Sequence, residues 1–347
     1  MVGIHQKSFL ETERRRMRKR HSPVLLCVML CLILITALPA CTVERAQQTG
    51  TTTRQTEHSG ETLRPEDEGS GLLFWEVTDS QDGGTLYLLG SIHTADETIY
   101  PMPELVTDAF YSADVLAVEA DIVALEADLA EMTELSKLMI YADGSTIRDH
   151  LPQDVYEAAK ALLSENQMYS FTYDYMKPAM WSSMLDLMTS DAAGLSEDYG
   201  VDRYFLSLAH ERDMRVYELE SARMQYEMLT GFSDELSALL LRTAVEDRQR
   251  QVQELLTLYE VWKNGDFEAF SLYMLEEPEG LTDEERLLYE EYTVSMIDER
   301  NAGMADQAVE LLESGEVCFY IVGAGHMVGE TGLVAALERA GYTVEQR

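Results

Sequence analysis

The sequence predicts an α/β fold, with a compact mixed β-sheet, flanking helices and helical insertions. Three short apolar segments have the length and composition of buried strands, namely Leu86–Leu89, Val115–Val118 and Cys318–Val322. The first and the third are each followed by a glycine turn, at Gly90 and Gly323. Long segments of helical periodicity separate the strands, and this arrangement favours a sheet covered by helices.

The composition indicates a folded, acidic body and argues against nucleic-acid binding. The chain has 347 residues, of which 46% are hydrophobic, and this content excludes a largely disordered protein. Residues 1–40 hold 7 of the 26 basic residues and 2 of the 63 acidic ones, so the remainder carries a formal charge of −42. Such a surface repels phosphate backbones and attracts cationic partners or metal ions.

The first 40 residues have the pattern of a secretory signal. A basic stretch at 14–20 precedes an apolar run from Pro23 to Ala37, and small residues follow before Cys41. The Leu-Pro-Ala sequence before this cysteine resembles a bacterial lipobox, in which the cysteine is lipidated and becomes the first mature residue. An uncleaved signal anchor with an incidental Cys41 is the alternative. Both interpretations hold the body on the outer face of a membrane, because basic residues stay inside.

The rest of the chain divides into a tether and one body. Residues 41–70 are rich in Thr, Gln, Glu, Ser and Gly, which is typical of a flexible spacer. Cys318 is the only cysteine of residues 71–347, so no disulfide can form within the body. We therefore expect a signal segment at 1–40, a tether at 41–70 and a domain at 71–347, lipid-anchored at the extracellular face of the cell membrane.

The body begins with a predicted β-hairpin. Leu72–Val77 and Thr85–Leu89 are apolar strands around an Asp-Gly-Gly turn, and the second strand leads to His93. A helix with a proline at its start follows, and the strand Val115–Val118 then ends at Glu119. This first unit carries an imidazole at the end of one strand and a carboxylate at the end of the next.

The centre of the chain is predicted to be helical from Ile122 to about Gly194. The methionines and aromatic residues between Tyr169 and Met188 form a patch that is either core or, less commonly, a groove for an apolar or peptide ligand. A further helix leads to a strand at Met214–Leu219. Glu220 follows this strand and repeats the arrangement of Glu119.

The C-terminal part is predicted to contain long helices and a last buried strand. One helix begins at the capping box of Thr282 and carries Arg300 and Asn301. The strand Cys318–Val322 follows, and His326 stands three residues after the glycine that ends it. A short helix and an edge strand complete the chain.

Two Gly-x-x-His turns, at His93 and His326, each follow a buried strand. A single such histidine is usually an ordinary loop residue. Ligand sites of open α/β sheets, however, lie beyond the carboxyl ends of strands, so two imidazoles delivered there can share one site. With the carboxylates of Glu119 and Glu220, they suit a divalent transition metal that would bind water and lower its pKa.

The neighbouring polar residues suggest roles in such chemistry. A second carboxylate, Glu220, could transfer protons, and Arg300 could stabilise a developing oxyanion that Asn301 orients. No H-E-x-x-H, C-x-x-C, P-loop or G-x-S-x-G motif is present in the sequence. The glycines at 323, 325 and 329 also miss the spacing of a dinucleotide-binding fingerprint by one position.

Several segments together resemble the TraB/GumN family, which includes the Tiki-type metalloproteases. Between Leu72 and Val344 they are, in order, LYLLGSIHTAD, LAVEAD, GSTIRDHLP, MKPAMW, YGVDRYFLSLAHERDMRVYELES, ERNAGMADQAVELLESG and FYIVGAGHMVGETGLVAALERAGYTV. Each segment is modest, but their order and spacing are specific. The chain departs from the family at MKPAMW, because two residues separate Pro178 from Trp181 where the family usually has Pro-Trp.

The resemblance implies a fold related to the erythromycin-esterase and ChaN-like proteins, with both histidine motifs in one site. It implies metal ligands, or close partners of the ligands, at His93, Glu119 and His326. It implies further site residues at Glu220, Asp202, Arg300 and Asn301. The family's activity, where assigned, is metal-dependent hydrolysis of peptide bonds with manganese or cobalt, and mixed nitrogen and oxygen donors also suit zinc or iron.

The sequence therefore leaves alternative functions open. The first is a membrane-anchored, extracellular, metal-dependent hydrolase that acts on a peptide or protein substrate. The second is a non-catalytic surface protein that binds or sequesters a small signalling peptide, since other members of the family are described as inhibiting peptide pheromone signalling. In a third interpretation the two histidines only hold their turns together.

Overall fold

The structure, a computed structural model, describes residues 70–79, 83–278 and 280–347. The predicted signal segment, Cys41 and nearly all of the predicted tether lie outside these residues. Within the described part of the chain, no helix is both long enough and apolar enough to cross a membrane. The predicted α/β class is confirmed, because this part forms one six-stranded mixed sheet with helices around it.

The sheet has the strand order β4-β3-β5-β2-β1-β6. Its strands are β1 (Phe74–Thr78), β2 (Thr85–Ser91), β3 (Val115–Val118), β4 (Arg215–Glu218), β5 (Val317–Gly323) and β6 (Thr343–Gln346). The four strands β4, β3, β5 and β2 are parallel to one another. The predicted hairpin is confirmed as the antiparallel pair β1–β2, and the predicted edge strand is β6, which pairs antiparallel with β1.

Helices connect the strands and fill the long insertions. Those before β5 are α1 (Glu104–Ser112), α2 (Ile122–Ala127), α3 (Leu129–Ser136), α4 (Ile147–His150), α5 (Gln153–Glu165), α6 (Pro178–Ala192), α7 (Val201–Glu211), α8 (Ala222–Thr230), α9 (Asp234–Val245), α10 (Arg248–Lys263), α11 (Phe267–Met274), α12 (Asp283–Thr293) and α13 (Glu299–Glu313). A turn of π-helix, Val294–Asp298, joins α12 to α13. After β5, a 3₁₀ turn, Ala324–Met327, leads to α14 (Leu333–Ala340).

Strand β5 is the centre of the main core. Every residue from Cys318 to Val322 is fully buried. Successive side chains of a strand point to opposite faces of the sheet. Phe319 packs edge-on against Phe110 of α1, with ring centroids 5.5 Å apart, whereas the Tyr320 hydroxyl donates to the backbone oxygen of Met304 in α13. Helices thus cover both faces of β5, which explains why this strand is an uninterrupted apolar run.

The methionine- and aromatic-rich patch is mostly core. Met180 and Trp181 are fully buried and Met184 is 3% exposed. The indole nitrogen of Trp181 donates to the backbone oxygen of Tyr173 at 2.9 Å, which fixes α6 against the preceding turn. Burial of such side chains stabilises a fold by roughly 1.5–3 kcal/mol each. The patch therefore packs the helical insertions, and its central residues do not line a groove.

Two long predicted helices are interrupted in the structure. The sequence from Gly231 to Phe270 predicts one long helical stretch with its turn at Asn264–Asp266. In the structure it also breaks at Asp247, which has a φ of 40° and accepts a hydrogen bond from the Arg250 amide. An aspartate tolerates this left-handed conformation and caps the next helix, so α10 begins there. The helix expected after Thr282 is interrupted by the π-helical turn before Glu299.

Asp186 of α6 is a buried carboxyl whose two oxygens have no hydrogen-bond partner within the described residues. Burial raises its pKa to about 8, against the opposing effect of Arg248. The folded chain then binds more protons than the unfolded chain between the ordinary pKa of 3.8 and about 8. The contribution of this group to the free energy of unfolding therefore falls as pH rises through that range.

Replacing Asp186 with asparagine removes this titration. At pH above 8 we expect Asp186→Asn to raise the free energy of unfolding by about 1–3 kcal/mol, because no charge has to be buried. At acidic pH, where the carboxyl is neutral in both states, the difference should shrink. Urea unfolding across pH measures this, with Asp191→Asn on the exposed side of the same helix as control. A difference that does not vary with pH would contradict the prediction.

Candidate functional site

The four adjacent parallel strands end at one edge of the sheet, and a polar residue follows each of them. Taken across the sheet from β4 to β3, β5 and β2, these residues are Glu220, Glu119, His326 and His93. The strand register aligns the ends, since Val118 pairs with Ile321 and Ser91 pairs with Gly323. Parallel pairing thus brings together side chains that are far apart in the sequence.

Glu119 lies at the centre of this edge and is 6% exposed. Its Oε1 atom accepts a hydrogen bond from the Gly323 backbone amide at 2.7 Å. Its Oε2 atom accepts from Arg300 and, at 3.2 Å, from Gln225. Burial is the largest influence and opposes the charged form, but Arg300, the two histidines and the Gly323 amide together outweigh it and hold the pKa of Glu119 well below its ordinary value. Glu119 is therefore a fixed negative charge within the fold.

Arg300 joins the two strand-end carboxylates. Its Nε and Nη2 atoms donate to the two carboxylate oxygens of Glu220 at 2.7 and 2.8 Å, and Nη2 also donates to Glu119. Its Nη1 atom donates to the backbone oxygen of Met296 at 3.1 Å. Each guanidinium nitrogen thus already has a protein acceptor, so Arg300 primarily neutralises the two buried acids in this structure. This arrangement differs from the expectation of a donor aimed at a substrate oxyanion.

His326 is fully buried beside Glu119. Its Nδ1 atom lies 2.7 Å from the side-chain oxygen of Asn301. Because an amide oxygen only accepts, Nδ1 carries the proton and the lone pair is on Nε2. Burial and the nearby Arg300 lower the pKa of His326 to about 3, so the ring is neutral at physiological pH. The Nε2 atom has no hydrogen-bond partner within the described residues and lies 3.8 Å from Oε1 of Glu119.

His93 is held in the same way on the neighbouring strand. Its Nδ1 atom lies 3.0 Å from a carboxylate oxygen of Asp202, and the Ser91 hydroxyl donates to the other oxygen at 2.8 Å. Burial disfavours the imidazolium, but the Asp202 carboxylate outweighs it and raises the pKa of His93. The side chains of His93 and Asp202 are 11% and 13% exposed, so the site is most accessible at this end.

All seven residues that the sequence singled out lie in this network. Asp202 holds His93, Asn301 holds His326, and Arg300 bridges Glu119 and Glu220. His93 lowers the pKa of both Glu119 and His326, so the two halves of the site lie close enough to interact electrostatically.

Sequence reasoning missed Gln225, which lies on α8. Its side-chain nitrogen donates to Glu119 at 3.2 Å and to Glu220 at 2.8 Å, so it links the two carboxylates as Arg300 does. The signal for it was weak but present. Gln225 is a polar residue on the face of α8 that otherwise buries Ala222, Tyr226 and Leu229. A buried amide on an apolar face usually has a specific partner.

The site contains residue types that bind metals, but no three of these side chains are arranged around a common point. Within the described residues, no group of three or more His, Cys, Asp or Glu side chains is arranged to hold a metal ion. The physical reason is visible at Glu119, whose two oxygens are directed at Gly323, Arg300 and Gln225. The lone pair of His326 Nε2 has no hydrogen-bond partner within the described residues, so this atom is free to bind a ligand.

The other described histidines provide a contrast. His150 ends α4, and both of its ring nitrogens are engaged, with Ser145 at 2.8 Å and Asp234 at 3.0 Å. His210 lies on α7, and its Nε2 atom contacts the Asp121 carboxylate at 2.8 Å. These contacts are typical of histidines that join structural elements. At the sheet edge, in contrast, each histidine forms its hydrogen bond through Nδ1 and not through Nε2.

A comparison with known protein families gives a match over almost the whole described domain. The family model described as the TraB/PrgY/gumN family matches residues 73–346. The chain belongs to the TraB/PrgY/gumN family. This match confirms the family that the sequence segments indicated and includes every residue of the site.

Two curated proteins that the chain resembles are both named uncharacterized protein YbaP, from Escherichia coli strain K12 and from Shigella flexneri. Each is 26% identical to this chain over 156 residues, which are 44% of this chain. The chain spans 55% of the length of these relatives. No solved structure matches the chain significantly.

Proposed function

We propose that this TraB/PrgY/gumN family protein is a metal-dependent hydrolase that cleaves peptide bonds. The observation that carries the proposal is the shared arrangement of His93 and His326. Each ring has Nδ1 bound to an oxygen of another element, Asp202 or Asn301, which leaves Nε2 as the nitrogen available to a ligand. Histidines that bind metals are usually oriented by such a bond to the opposite ring nitrogen.

The donor chemistry fits a divalent transition ion. His93 and His326 would supply imidazole nitrogens. Glu119 would supply its Oε1 atom, which lies 3.8 Å from Nε2 of His326, accepts one hydrogen bond, from the Gly323 amide, and keeps a second lone pair. Two nitrogens and one oxygen suit manganese, cobalt, zinc or iron, and the family resemblance favours manganese or cobalt. When bound, such an ion lowers the pKa of a water molecule and polarises a carbonyl group.

The chain's own residues would support this chemistry from their present positions. Asn301 fixes the tautomer of His326, and Asp202 does the same for His93. Arg300 and Gln225 keep Glu119 charged and oriented within the fold. Glu220 is the second carboxylate and the candidate for proton transfer.

We further propose that the protein acts on a peptide or protein substrate at the extracellular face of the cell membrane. The sequence features that support this location are the basic and apolar N-terminal segment and the lipobox-like context of Cys41. The mass of the mature N-terminal peptide tests the lipid anchor, because lipidation makes a modified Cys41 the first residue. An unmodified N-terminus upstream of Cys41 would contradict lipidation and favour the uncleaved signal anchor.

The catalytic proposal is tested with a quenched fluorescent peptide library. We expect the full chain, supplied with manganese or cobalt, to cleave members of the library. His326→Ala should lower kcat/KM by more than about 100-fold, since loss of groups that only orient a metal ligand already costs 10–100-fold. His210→Ala is the matched control and should leave kcat/KM unchanged. Absence of cleavage with manganese, cobalt, zinc and iron alike would contradict the proposal.

A further inference from the structure

A cleft of about 460 Å³ lies beside the turn that carries His326. Gly325 and Val328 line it from the C-terminal side of β5, and Ile297 lines it from the π-helical turn. Leu275, which is 62% exposed, lies on its rim. The volume is in the range of pockets that bind small molecules or a few side chains of a peptide.

The cleft and the site share their structural elements. Gly325 lines the cleft, and the next residue, His326, is buried between Glu119 and Asn301. The π-helical turn contributes Ile297 and Asp298 to the cleft immediately before Arg300 and Asn301 enter the site. π-Helical turns often occur at functional sites.

A hydrogen bond ties these two elements together. The Thr331 hydroxyl, from the loop after His326, donates to the Asp298 carboxylate at 2.5 Å. Both residues line the cleft. A ligand in the cleft would therefore contact the two elements that hold His326 and Asn301 in place.

The cleft combines an apolar floor with an acidic rim. Its acidic lining residues are Glu276, Glu277, Glu290, Asp298 and Glu330. The basic lining residue is Arg286, which already forms ion pairs with Glu277 and Asp283. An excess of carboxylates around apolar side chains favours a ligand that is both cationic and apolar, and repels an acidic one.

We propose that this cleft binds a cationic peptide segment, with an apolar side chain on the floor and lysine or arginine side chains at the rim. The inference rests on the proposed function in that it names the substrate class that the cleft beside the site would select. Binding in the cleft nevertheless needs no turnover, so the two proposals can fail separately.

The test compares three fluorescent peptides of equal length, which alternate leucine with lysine, leucine with glutamate, and serine with lysine. Anisotropy titrations with the full chain measure their Kd values. We expect the leucine–lysine peptide to bind at least about tenfold more tightly than either of the others. Only this peptide has both apolar side chains for the floor and positive charges for the acidic rim. Its affinity should fall with added salt.

Charge reversal locates the binding site. The double variant Glu290→Lys/Glu330→Lys should raise the Kd of the leucine–lysine peptide by about tenfold. Each exposed ion pair contributes little, but the two losses add. The control Glu157→Lys/Glu310→Lys makes the same change in net charge at exposed residues that do not line the cleft. This control should bind like the wild type. Equal losses in the two double variants, or equal affinity for the lysine and glutamate peptides, would overturn the proposal.

The His326→Ala variant separates the two proposals. It should bind the leucine–lysine peptide as the wild type does, although it should not cleave it. Tight, charge-selective binding without any cleavage by the wild type would support peptide binding in the cleft and contradict the proposed hydrolase activity. Cleavage of library peptides without preference for cationic ones would support the hydrolase activity and contradict the proposed role of the cleft.

Discussion

Replacing Arg300 with methionine is expected to lower the free energy of unfolding by about 3–5 kcal/mol. The side chains of Arg300, Glu119 and Glu220 are all at most 6% exposed. Without the guanidinium, the carboxylates of Glu119 and Glu220 would stay buried and lose the positive charge that compensates them. Urea unfolding of the full chain at neutral pH, followed by circular dichroism, measures the change.

A matched ion pair at the surface controls for the loss of an arginine. Arg215 of β4 pairs with Glu316, the residue before β5, but their side chains are 55% and 36% exposed. We expect Arg215→Met to cost less than about 1 kcal/mol, because water screens such pairs. An Arg300→Met variant that lost no more stability than Arg215→Met would contradict the view that Arg300 compensates buried charge.

Replacing Gly332 with alanine is expected to lower the free energy of unfolding by about 2–3 kcal/mol. A Cβ atom at this position would lie 2.4 Å from the backbone oxygen of Val328 and 2.5 Å from that of Met327. These atoms belong to the segment just after His326, so the added methyl group must displace that segment. Thermal or urea unfolding measures the loss.

A second glycine provides the control for Gly332. Gly303 lies within α13, where an added Cβ atom would meet no atom within 4 Å. Because alanine is the better helix former, Gly303→Ala should be neutral or stabilise by up to about 1 kcal/mol. Equal effects of the two substitutions would show that the backbone around His326 adjusts freely, contrary to the prediction.

Much of the sheet edge could be predicted from sequence. Strands β2, β3 and β5 are short apolar runs, and parallel strands present their carboxyl ends together, so His93, Glu119 and His326 could be assigned to one edge. Glu220 followed by the same argument from β4. Asp202 lies on α7 rather than at a strand end, and only the family resemblance indicated it.

The partners of these residues could not be predicted, because they depend on tertiary contacts. Arg300 and Asn301 are neighbours on α13, yet one contacts the carboxylates and the other contacts His326. The π-helical turn that precedes them was not indicated by any sequence period either. The contact of Gln225 with both acids similarly requires the packing of α8 under the sheet edge. Helix lengths were overestimated where an aspartate such as Asp247 caps a new helix within a polar stretch.

We propose that His93 and His326 act as one cation-binding centre, and metal binding tests this most directly. Isothermal titration of the metal-free full chain with manganese or cobalt should give about one site per chain. His93→Ala and His326→Ala should both abolish this site while circular dichroism shows a folded protein. The controls His150→Ala and His210→Ala, whose histidines join structural elements, should bind as the wild type does. No binding by the wild type, or equal binding by all four variants, would contradict the account and leave the two histidines as structural residues of their turns.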